Sequence, residues 1–90
     1  MLTLQQYTTK TCAVCKAHRP MLAELEKDYE GDLKVEFVDV SSLPEEEASL
    51  INTVPLYKLL SADGAVLELW VGTKSKEQVQ RFIDCALETQ

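Results

Sequence analysis

Thr11-Cys12-Ala13-Val14-Cys15-Lys16 lies between a short apolar strand, Leu2 to Tyr7, and a segment whose apolar residues recur every three or four positions. Two cysteines with two residues between them on the first turn of a helix bring their sulfurs close enough to bond without closing a long loop. The first sulfur then meets the unpaired N–H groups and positive end of the helix dipole, which favour a thiolate. A thiolate is the species that attacks disulfides. The stretch therefore reads as a reversible dithiol, with Cys12 the more exposed sulfur and Cys15 facing inward. Two other uses stay open: a pair of structural core cysteines, and a metal module built on Cys12, Cys15 and His18, which lacks a nearby fourth ligand.

Outward from that stretch, the strand places Leu2, Leu4 and Gln6 on one face. Downstream, Val14, Ala17, Met21, Leu22, Leu25 and Tyr29 form a helical stripe. Pro20 should kink that helix, because it lacks an N–H and crowds the preceding turn. Gly31 closes it. Leu33 to Val40 is a second strand, and its apolar end Phe37-Val38 suits one covered on both faces. Ser42 and Glu45 have capping-box spacing and start a short helix through about Ile51. Leu56 to Ser61 and Ala65 to Val71 form a hairpin about Ala62-Asp63-Gly64. Ser75 and Gln78 are a second capping box, opening a helix with the stripe Val79, Phe82, Ile83, Ala86 and Leu87. Trp70 reads as strand packing, and Cys85 falls at the edge of its helix's apolar stripe or on the surface.

The order is β-α-β-α-β-β-α, an α/β fold with a four-stranded mixed sheet and helices on both faces. Ninety residues with 46% apolar and 27% charged content make one domain over residues 1–90. A net charge of −6 offers no basic stripe and argues against nucleic acid as partner. Lys10, Lys16 and Arg19 nevertheless gather a local positive patch around the cysteines. No run approaches the roughly 20 apolar residues of a membrane span, and the first residues lack the charged and apolar regions of a signal peptide. With three cysteines, an odd count, the reducing cytoplasm is the expected compartment. A monomer is expected.

The chain resembles the thioredoxin superfamily over nearly its whole length. Cys12 and Cys15 match the redox pair, Pro20 the helix proline, Thr53-Val54-Pro55 the cis-proline loop, and Gly64 and Gly72 the paired glycines, with Lys76 following. The resemblance implies a thioredoxin-like fold and a protein-disulfide reductase that needs no bound cofactor. It further implies that Cys12 is the nucleophile and Cys15 the resolving thiol. Thr53, Val54, Pro55 and Gly72 would bind the substrate as an added strand, and a flavin-containing thioredoxin reductase would donate electrons. Departures are Thr11 for the flanking tryptophan, Ala13-Val14 for Gly-Pro, Gln6 for the buried aspartate and Phe37 for a strand lysine. Glutaredoxin is matched only in size. Gly72-Thr73-Lys74-Ser75 departs from its glutathione segment, and its Cys-Pro-Tyr-Cys sequence is missing. A glutathione-dependent reductase remains the second enzymatic reading, and a redox-inert binding module the third. Lys10, Lys16 and His18 are auxiliary candidates. His18 is either a neutral core residue with one hydrogen bond or a helper in moving the Cys15 proton.

Overall fold

The computed structural model describes residues 1–88. Its elements are β1 (Leu2–Thr8), α1 (Ala13–Asp28), β2 (Leu33–Asp39), a 3-10 turn (Val40–Ser42), α2 (Glu45–Ala48), β3 (Leu56–Leu60), β4 (Val66–Val71) and α3 (Lys76–Glu88). The strands form one sheet in the order β2-β1-β3-β4. β1 pairs parallel with β2, and antiparallel pairs join β1 to β3 and β3 to β4. The first strand of the chain is therefore interior to the sheet, and the turn leaving its C-terminal end is anchored by a strand with neighbours on both sides.

Alternation along β1 decides the two faces. Leu2, Leu4 and Gln6 are all fully buried. Across from Leu4 and Gln6 in register lie Leu59 and Tyr57 on β3, and beyond Tyr57 lies Trp70 on β4. Leu22 and Leu25 of α1 and Val79, Ile83 and Ala86 of α3 close over that face to make the core. Trp70 stacks on Tyr57 with centroids 5.3 Å apart and meets Phe82 of α3 at 5.2 Å. Offset aromatic contacts of this kind add to simple burial. Tyr7 and Leu56, of opposite parity, line a cavity of about 500 Å³ on the other face with Glu47 of α2 and the adjoining Leu43, Leu50 and Ile51. Helices thus lie on both faces, unequally. Leu69 and Val71 on the thinly covered side are 56% and 55% exposed.

Local signals account for most boundaries. The Ser75 N–H donates to Gln78 Oε1 at 3.0 Å and the Gln78 N–H donates to Ser75 Oγ at 3.2 Å, a reciprocal capping box. Gly31 takes φ +87°, two residues past the Tyr29 cap of α1. At Pro20 the carbonyl of Lys16 loses its helical donor, yet α1 runs on to Asp28. Lys76 bridges from α3 to Glu24 at 3.2 Å and Asp28 at 3.0 Å on α1. Its pKa is raised, first by the hydrogen bond to Asp28 and then by that to Glu24.

Several expectations need correction. Val14 and Ala17 are exposed; the buried stripe of α1 starts at Cys15 and continues through Leu22 and Leu25. The helical period holds, but the first turn directs its cysteine inward in place of its valine. β2 is an edge strand, and Phe37 is 49% exposed, with the Arg19 guanidinium 5.2 Å from its ring centroid. Ser42 caps no helix. Asp39 accepts from the Ser41 N–H, the chain winds into the 3-10 turn, and Ser42 Oγ donates back to the Asp39 carbonyl. Pro44 stands at the N-cap of α2, which is only four residues long. Beyond it, Leu50 and Ile51 make i→i−3 bonds, so the helix does not reach Ile51. Among the described residues, no helix is long and apolar enough to cross a membrane.

Candidate active site

β1 ends at Thr8, and a turn closed by the Cys12 N–H to the Thr9 carbonyl at 3.2 Å delivers the chain to α1. Cys12 is the N-cap of that helix, with φ −80° and ψ 95°, and no acidic residue lies in the first turn. Its sulfur accepts from the Cys15 N–H at 3.1 Å. A helix start leaves such N–H groups without internal partners, and here one is spent on sulfur. Cys12 and Cys15 form a disulfide, with Cα atoms 5.3 Å apart, within the ordinary range for that bond. Cys15 is fully buried and Cys12 only partly. The pair is thus asymmetric: one sulfur open to attack, the other behind it.

Behind Cys15 lies Gln6. Its Nε2 donates to the Cys15 carbonyl at 3.1 Å and to the Tyr57 hydroxyl at 2.9 Å. The carbonyl can only accept, so the amide nitrogen must face it. That leaves Gln6 Oε1 buried with no hydrogen-bond partner among the described residues. Burial pushes the Tyr57 phenol above its ordinary value, and the Gln6 hydrogen bond partly offsets the rise. His18, one turn after Cys15, is half-buried with its ring centroid 6.5 Å from that of Tyr57, and its Nδ1 is buried without a partner among the described residues. The single hydrogen bond expected of a core histidine is not made at Nδ1.

Thr53 is exposed, Val54 half-buried and Pro55 buried, and the Val54–Pro55 peptide bond is cis. Leu56 pairs with Tyr7 on one side and Val71 on the other. Pro55 therefore sits across from Thr8, at the same end of the sheet as the turn leading into Cys12. The Gly72 N–H donates to the Pro55 carbonyl at 2.9 Å, and Gly72 takes φ +86°. The structure so joins Gly72 to the Pro55 loop.

Lys10 and Lys16 are exposed beside the cysteines. Asp39 lies close enough to Lys10 for that charge to help lower its carboxyl, though the Ser41 hydroxyl and N–H contribute more. Among the described residues, no group of three or more His, Cys, Asp and Glu side chains gathers as metal ligands. Cys85 is exposed on α3, outside the disulfide. Sequence reasoning missed Tyr57 as the partner of Gln6. Their shared sheet face was visible only once β1 and β3 were known to pair, 51 residues apart.

The family model for thioredoxin matches residues 1–85. Thioredoxin C-2 of Corynebacterium nephridii is 36% identical over 74 residues, covering 81% of this chain and 68% of that protein. The thioredoxin of Pseudomonas aeruginosa is 34% identical over 85 residues, covering 90% of this chain and 75% of its own length. That of Bacillus subtilis is 30% identical over 84 residues, covering 92% and 80%.

Proposed function

Since the chain belongs to the thioredoxin family and is a thiol–disulfide oxidoreductase of that type, we propose how its own residues divide the work. Cys12, as thiolate, attacks one sulfur of a protein disulfide; the substrate's other sulfur leaves as a thiolate and takes up a proton. Cys15 then loses its proton and attacks Cys12 Sγ, forming the Cys12–Cys15 disulfide and releasing the second substrate thiol. The substrate gains two electrons and the dithiol loses two.

The observation that supports this order is the asymmetry of the pair. Cys12 is the accessible sulfur and already accepts a helix N–H, an arrangement that also holds a thiolate. Cys15 is sealed and can reach only its neighbour. An extended substrate segment lies along Thr53 and Val54, pairing with the Val54 backbone beside the exposed sulfur, with Pro55 and Gly72 as the floor. Lys10 and Lys16 favour substrates with acidic flanks, and His18 is a packing residue behind Cys15. The protein works as a cytoplasmic monomer, with thioredoxin reductase restoring the dithiol.

A coupled turnover assay tests the reading. With a disulfide protein as substrate, thioredoxin reductase and NADPH should sustain turnover, and Cys12→Ser should abolish it. Turnover sustained only by glutathione and its reductase would move the chain to glutaredoxin-type chemistry. A redox-inert module would show neither.

A further inference from the structure

Gln6 is fully buried, yet only half of its amide is used. Its nitrogen is fully committed, with one hydrogen on the Cys15 carbonyl and one on the Tyr57 hydroxyl. Among the described residues its oxygen has no partner in the disulfide form. A buried acceptor left unmatched is a cost to whichever state contains it. Opening the Cys12–Cys15 disulfide creates a new buried donor, the S–H of Cys15, on the residue whose backbone carbonyl the Gln6 amide nitrogen already binds. We propose that Gln6 is a redox-linked positioning residue, whose side-chain oxygen is unmatched in the disulfide form and accepts the Cys15 thiol hydrogen once the pair is reduced.

The step balances. A reducing dithiol supplies two electrons and becomes a disulfide. The Cys12–Cys15 bond breaks, Cys12 leaves as thiol or thiolate, and Cys15 takes a proton that it shares with Gln6 Oε1. Because the new bond exists only in the reduced form, it favours the dithiol and makes the protein a weaker reductant than its fold would otherwise be. It also orients the Cys15 sulfur. The amide cannot take that proton at neutral pH, so Gln6 acts by holding the thiol and leaves its deprotonation to another group.

The proposal rests on the Cys12–Cys15 pair cycling between disulfide and dithiol, and the test separates the two. Full-length protein and its Gln6→Leu variant are equilibrated with mixtures of reduced and oxidised dithiothreitol. The variant should hold its disulfide about fivefold more tightly, the scale of one net hydrogen bond, which is roughly 20 mV more negative for a two-electron couple. Equal constants, or a shift the other way, overturn the proposal alone. A pair that does not equilibrate with dithiothreitol overturns the dithiol reading and the proposal with it. A second measurement leaves Gln6 in place, in case its replacement disturbs folding. In Cys12→Ser/Cys85→Ser protein, where Cys15 is the sole thiol, the infrared S–H stretch should fall below that of an unbonded thiol. A band at the unbonded position overturns the proposal.

Discussion

Tyr29 donates its phenolic hydrogen to Asp84 Oδ1 across 2.7 Å, joining the C-terminal cap of α1 to α3 over 55 residues of chain. Burial, then the hydrogen bond to and the charge of Asp84, then the charge of Asp28, push its pKa from 10.0 up to about 12. Between those values an unfolded tyrosine has lost its proton and the folded one has not. The stabilisation from this contact is therefore complete below pH 10 and drains away as pH rises towards about 12. Ultraviolet titration of phenolate should show Tyr29 ionising late, with Tyr29→Phe assigning the step. In Asp84→Asn the step should move down while staying above the ordinary value, since burial remains. An unmoved step would mean the carboxylate contributes nothing.

The two serines with capping-box spacing should behave differently. Ser75→Ala removes a reciprocal cap and should cost about 0.5–2 kcal/mol. Ser42→Ala touches an exposed turn that caps no helix and should cost less than about 0.5 kcal/mol. Chemical denaturation of the two variants checks this, and equal losses would contradict the geometry.

Leu22 and Val14 lie on the same helix and are both apolar, but only Leu22 is in the core. Leu22→Ala should lose about 2–5 kcal/mol through transfer and cavity terms. Val14→Ala should stay within about 0.5 kcal/mol. A large loss at Val14 would place it in the core after all.

In the reduced protein, iodoacetamide should modify Cys12 well before Cys15, because one thiol is partly open and the other sealed. Peptide mapping separates both from the exposed Cys85. With Cys15→Ser, a disulfide substrate should remain attached to Cys12 as a stable mixed disulfide. Attachment through residue 15 in the reciprocal Cys12→Ser protein, at a comparable rate, would reverse the roles.

Features decided by neighbours in the chain were the legible ones. Alternation at Leu2, Leu4 and Gln6, the Ser75–Gln78 box and the Gly64 turn each depend on a few consecutive residues, and each forms as expected. The misreadings share the opposite cause. Ser42 fails as a cap because Asp39 captures Ser41 first, a competition between two equally plausible local bonds. Phe37 lies on an edge because the later strands add beside β1 instead of beside β2, which β2's own composition does not record. At the site, the cysteine spacing was plain, but the Gln6–Tyr57 contact required strand register between distant segments.

The interior position of β1 also bears on how the molecule comes into being. Its first strand is synthesised first, yet its β3 neighbour spans Leu56–Leu60. Until that segment leaves the ribosome, one edge of β1 stays unpaired, and Trp70, Val79 and Ile83 are not yet there to cover Leu4. Such distant pairing must meet its loop-closure entropy before any contact returns it, which slows folding relative to helical chains of similar length. A nascent chain halted at residue 55 should be open to protease along β1, whereas one extended past α3 should resist. The sequence order that centres the redox turn in the finished sheet leaves it, during synthesis, among the last parts to be secured.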